Sequence, residues 1–81
     1  METRVAVISI IVENPDSVAE VNDLLHYYSE WVIGRMGIPY RQKEVNIISI
    51  AVDAPQDIIN ALTGSLGKLE GITAKAAYSK V

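Results

Sequence analysis

Between Leu24 and Arg41 the chain gathers its only histidine, its only tryptophan and three of its four tyrosines on either side of Arg35. His26 can ligate a metal, hold a ligand or respond to pH. Arg35 carries a planar fork of donors that fits a carboxylate or a phosphate. Tyr27, Tyr28, Trp31 and Tyr40 combine an apolar body with a polar tip, which suits ligand pockets and protein interfaces alike. From these types we take His26, Tyr27, Arg35 and Tyr40 as candidate ligand-binding residues. Each also has a plainer use: an exposed histidine near a helix end, an arginine that blunts a sheet edge, aromatics that fill a core or a contact between copies.

Other chemistries lack their parts. One histidine and no cysteine give no set of three or four converging donors, so no metal site and no cofactor are expected. Ser9 and Ser49 have no general base near them in sequence, so no catalytic residue is assigned. The corner Glu13-Asn14-Pro15-Asp16 offers helix N–H groups to an anion, but its own acids repel one. An acylphosphatase of similar architecture needs a glycine-rich phosphate cradle at this corner, and the corner has none. The chain is not expected to be an enzyme.

Positioning such residues is the task of a duplicated unit. Val5 to Val18 reads VAVISIIVENPDSV, and forty residues later Val45 to Ile58 reads VNIISIAVDAPQDI. Val5/Val45, Ile8/Ile48, Ser9/Ser49, Ile10/Ile50, Val12/Val52 and Pro15/Pro55 are identical. In each copy a β-branched run fits a strand, and the acid and proline behind it fit a corner and the first turn of a helix. Asn14 suits the cap of the first helix, and Asp53 with Gln56 forms a capping box for the second. The echo continues from Ile33–Ile38 to Thr73–Tyr78 and sets Arg35 opposite Lys75, so each half ends in a second strand.

The elements follow in order. Strand one is Arg4 to Val12, and helix one, about Pro15 to Tyr28, buries Val18, Val21, Leu25 and Tyr28. A glycine-weakened edge strand follows Ser29, with Ile38 to Glu44 as a hairpin turn. Strand three is Val45 to Val52. Helix two, about Pro55 to Leu66, buries Ile58, Ile59, Leu62 and Leu66, with Gly67 as its left-handed stop. The Glu70-Gly71 turn then starts the last strand, Ile72 to Ser79.

This order predicts an α+β, ferredoxin-like βαββαβ sandwich: a four-stranded antiparallel sheet with both helices on one face. One domain, 1–81, accounts for the whole chain. Ile8, Ile10, Ile48 and Ile50 are assigned to the helix side. Val5, Val7, Ile11, Val45, Ile47 and Ala51 then line the open face around Ser9 and Ser49, and such an apolar patch marks a contact surface. Val5, Val7, Ser9, Ile11, Trp31, Ile47 and Ser49 are therefore the expected interface residues of a homo-oligomer, a dimer or a tetramer.

Composition points the same way. A chain of 81 residues without cysteine has neither disulfide nor thiolate metal to staple it, which leaves association as the staple. No apolar run reaches the roughly 18 residues of a membrane helix, and the N-terminus lacks the order of a signal peptide. The formal net charge of −3 gives no basic footprint for nucleic acid. The expectation is a cytoplasmic protein with no membrane and no direct nucleic-acid partner.

At Leu24-Leu25-His26, Ser29, Arg35-Met36-Gly37 and Pro39-Tyr40, and again at Ala61-Leu62-Thr63-Gly64-Ser65-Leu66-Gly67, the sequence resembles a family of small proteins known as iron-only hydrogenase system regulators. That fold is ACT-like, similar to the C-terminal regulatory domain of nickel-responsive repressors. The resemblance implies a cytoplasmic, oligomeric regulator, transcriptional in kind, acting beside the proteins that build or use an iron-only hydrogenase. The nickel repressors use histidines and a cysteine and carry a DNA-binding segment, and ACT modules use a glycine-bearing corner after strand one. This chain has one histidine, no cysteine, no such segment and Glu13-Asn14-Pro15 at that corner. Two expectations follow: a sensor domain with a small-molecule effector at a subunit interface, or a protein-interaction subunit with no small ligand.

Overall fold

The computed structural model describes residues 2–80. Strand β1 (Arg4–Val12) leads through a single 3-10 turn (Pro15–Ser17) into helix α1 (Val18–Tyr27), and a second short turn (Ser29–Trp31) leads into strand β2 (Val32–Tyr40). After the turn Arg41–Lys43, strand β3 (Val45–Ala54), helix α2 (Gln56–Gly67) and strand β4 (Ile72–Tyr78) repeat the order. The sheet runs β2-β3-β1-β4 with every neighbour antiparallel. This is the expected ferredoxin-like, ACT-like arrangement, with the duplicated strands side by side in the centre.

Period-two patterning divides the faces. Ile8, Ile10, Val12, Ile50 and Val52 are buried with Val21 and Leu25 of α1 and Ile59, Leu62 and Leu66 of α2. Transferring those side chains out of water is what holds the helices to the sheet. The β1–β3 register pairs Ser9 with Ser49, Ile8 with Ile50 and Ile10 with Ile48. Because Ile8 and Ile48, and likewise Ile10 and Ile50, are equivalent in the repeat and exchange partners across that serine pair, the two central strands are related about it by a local two-fold.

The corners explain the lengths. Asn14 caps as expected: its Oδ1 accepts from the Asp16 N–H at 3.0 Å, and Pro15 occupies the first turn. Ser17 is the buried polar residue beneath this corner, and its hydroxyl donates to the Glu70 carbonyl at 2.7 Å. The Gly71 carbonyl accepts from the Glu13 N–H at 2.8 Å, so the loop before β4 is tied to the corner after β1.

Four local expectations are corrected. The Asp53–Gln56 capping box does not form, because β3 continues to Ala54 and leaves Pro55, which has no side-chain acceptor, at the cap. Gln56 instead accepts from Arg4 Nη1 at 2.8 Å and donates to Tyr78 Oη at 2.7 Å and Asn60 Oδ1 at 3.0 Å. Gly67 is not a left-handed stop; it ends α2 within the helix, and the glycine with positive φ is Gly71, at 71°. The hairpin turn is shorter than Ile38 to Glu44, since β2 runs on to Tyr40 with Pro39 in an edge strand that tolerates a missing N–H, and Glu44 makes the left-handed step at φ 54°.

The last correction matters most for the site. Val32 pairs with Val52 but Gly34 pairs with Ala51, so Ile33 is an extra residue absorbed in a β-bulge. Past it the repeat is out of step by one. Arg35 pairs with Ile50 on the helix face, whereas Lys75 pairs with Ser9 on the open face. A one-residue offset exchanges the faces of a strand, so Arg35 and Lys75 are not structural equivalents.

Candidate functional site

Asn22, His26 and Ser29 follow one another at spacings of four and three residues, which brings them to one side of α1 and the turn that ends it. The bulge turns Arg35 toward this side. Its Nη2 donates to Asn22 Oδ1 at 3.4 Å, a long contact. Between them lies a cleft of about 230 Å³, with Leu25, Val32 and Ile50 as its apolar floor. His26 and Arg35, picked from sequence for their chemistry, therefore share one cleft, with an amide and a hydroxyl beside them.

Tyr27 and Tyr40 are placed elsewhere. Tyr27 is 77% exposed on the outer side of α1 and meets Tyr28 edge-on at 5.0 Å between ring centroids. Tyr40 ends β2 beside Val45. There it lines a separate hollow of about 380 Å³ with Glu13, Pro39, Arg41 and Glu44, where acids and a base are mixed. Among the described residues no three of His, Asp and Glu are gathered as metal ligands would be.

The second feature is the uncovered side of the sheet. Val5, Val7, Ser9 and Ile11 on β1 stand in register with Asp53, Ala51, Ser49 and Ile47 on β3. Beyond them β2 adds Met36, Ile38 and Tyr40 opposite Ser49, Ile47 and Val45. Val7, Met36 and Ile38 are 41%, 54% and 45% exposed, so the apolar surface is continuous across three strands. Trp31, expected with this surface, sits apart from it, half-buried against the chain's own core at the end of α1.

Asn22 and Ser29 were not among the sequence candidates, yet their spacing from His26 along the helix is readable. Met36 was hidden by the bulge, because the forty-residue offset assigns Arg35 to its place on the open face.

A family model described as "Iron-only hydrogenase system regulator, putative", the TM1266-like family, matches residues 4–76. Among solved structures, the uncharacterized protein TM1266 from Thermotoga maritima superposes with a TM-score of 0.94 at 34% identity, over 98% of this chain and 100% of that one. A formyltetrahydrofolate deformylase from Pseudomonas putida KT2440 superposes with a TM-score of 0.65 at 13% identity. The match covers 90% of this chain but only 28% of the deformylase, and it is a likeness of fold alone. No curated protein matches the sequence.

Proposed function

We propose, from the premise that this chain belongs to the TM1266-like family of iron-only hydrogenase system regulators, that it is a small homo-oligomeric sensor domain of that system. It takes a small effector in the cleft where Arg35 and His26 meet and passes the bound state on through contacts between copies. The family match over residues 4–76 is the observation that carries this reading. The cleft and the bare sheet support it, since one offers polar groups to a ligand and the other an apolar surface to a partner. No catalytic step is assigned, and neither a membrane nor nucleic acid is a direct partner.

The test is genetic. In a host that encodes this chain together with an iron-only hydrogenase, deleting the gene changes hydrogenase transcript level or the amount of active enzyme, and the intact gene restores it. A deletion that leaves both unchanged under hydrogen-producing and non-producing growth overturns the reading.

The exposed Val7, Met36 and Ile38 also favour a second reading, a protein-interaction subunit without a small ligand. The two separate on one measurement. A ligand that binds the native state raises the melting temperature by mass action, and an interaction subunit is raised by none.

A further inference from the structure

The groove between α1 and the edge strand is built around a cation that has no anion. Among the described residues Arg35 makes no ion pair, and its hydrogen bond to Asn22 is the long one at 3.4 Å. On one side of it lies the hollow of about 230 Å³ that also contains His26 and Ser29. On the other side lies a hollow of about 220 Å³ bounded by Val18, Gly37, Pro39 and Ile48. Neither hollow is lined by an aspartate or a glutamate, although the chain has more acids than bases. A side chain on Gly37 would meet no atom within 4 Å, so the groove stays open past Arg35.

We infer that this groove is a binding site for a small organic carboxylate, held by its planar head on the Arg35 guanidinium, with its apolar body lying along the sheet over Gly37. The pairing follows from shape as well as charge. A guanidinium presents parallel N–H groups that match the two oxygens of a carboxylate, and a charge-assisted pair of this kind is among the stronger hydrogen bonds. Ser29 and His26 can donate to whichever oxygen lone pairs remain, and the Asn22 amide can swing to do the same. A phosphate brings more charge than one arginine offsets. The apolar floor of Leu25, Val32 and Ile50, continued by Ile48, asks for a ligand with a hydrocarbon part. The carboxylate is then the effector of the regulatory reading above, on which this assignment rests.

The experiment is a titration of the uniformly ¹⁵N-labelled full chain, followed by amide correlation spectra at fixed pH and ionic strength. The probes are butanoate, hexanoate, the neutral butanamide and inorganic phosphate. The expected result is saturable shifts from the two acids, centred on Asn22, His26, Ser29 and Arg35 and tighter for hexanoate, with no response to butanamide. Arg35→Gln weakens binding about tenfold or more, because it removes the charge-assisted pair. Its ligand-free melting temperature stays that of the wild type, since the side chain is exposed. Acids that leave these resonances unmoved overturn the assignment, as does butanamide binding equally well or phosphate binding more tightly at the same residues. A hydrogenase phenotype without carboxylate binding removes the ligand class and spares the regulatory reading. Carboxylate binding without any phenotype does the reverse.

Discussion

At Gly71 the backbone holds φ at 71°, and a β-carbon there would come within 2.6 Å of Asn14 Cβ and 2.8 Å of Asn14 N. Both obstacles belong to the corner that the Gly71 carbonyl and the Ser17 hydroxyl tie to the loop before β4. Neither can retreat without breaking one of those ties. Gly64 is the opposite case: it lies inside α2, exposed, with nothing within 4 Å of its missing β-carbon. Gly71→Ala is expected to destabilise the fold by ~1–3 kcal/mol, since it adds left-handed strain to a steric clash. Gly64→Ala is expected to stabilise it by ~0.5–1 kcal/mol through helix propensity. Chemical denaturation of both variants at one protomer concentration checks the pair, and equal effects of one sign would refute this account of the corner. The Glu70-Gly71 turn was legible, because a Gly before an apolar run starts a strand. Its contact with Asn14 was not, because the two are far apart in the chain and meet only through the fold.

At the scale of elements, strand β1 carries two jobs on alternate residues. Ile8 and Ile50 are fully buried cross-strand partners beneath the helices, while Val7, one residue away, is 41% exposed on the other face. Ile8→Val and Ile50→Val are each expected to cost ~0.5–1.5 kcal/mol. Because the two methyl groups leave one shared void, the double variant should depart from the sum by ~0.5 kcal/mol or more. Val7→Ala should leave unfolding of the isolated protomer nearly unchanged. Additive Ile effects, or a Val7 cost as large as theirs, would mean that the faces are misassigned. This alternation was readable because a duplicated strand states its pattern twice, and Ile8, Ile10, Ile48 and Ile50 lie where that pattern puts them. The bulge at Ile33 was not readable. A bulge is one extra residue in a strand that its neighbour does not match; Gly34 marks a weak place in the strand, but the types Val32-Ile33-Gly34 do not say whether a residue is inserted or which one. That single residue sets Arg35 opposite Ile50, on the helix face and in the cleft beside His26, where the repeat alone would have matched it to Lys75 on the open face.

For the molecule as a whole, the question is what water does at the bare side of the sheet. Val5, Val7, Met36, Ile38 and Tyr40 are each more than a third exposed there, on a domain small enough that its own core supplies only ~3–5 kcal/mol of net stability. The surface is arranged about the Ser9–Ser49 pair by the local two-fold that relates the two central strands, while Lys75 stands on β4 at its rim. A polar rim around an apolar centre is how contact surfaces are built, and a patch that presents the same face to its copy closes as an isologous pair. The wild-type chain is therefore expected to sediment as a dimer or a larger closed assembly, with a melting temperature that rises with protomer concentration. Val7→Asp and Ile47→Asp place a carboxylate in the middle of the patch, which the fold tolerates on its solvent side and a dry contact does not. Each variant should sediment as a monomer, keep its antiparallel-sheet spectrum and lose the concentration dependence of melting. A wild-type chain that stays monomeric at the highest concentration reached, or variants that assemble as it does, would show that another surface, or none, joins the copies. Arg35 pairs with Ile50 on the opposite face of the sheet, and Val7 lines neither hollow of its groove, so Val7→Asp should still bind whatever the groove binds, and assembly and ligand binding can be scored separately in that one variant.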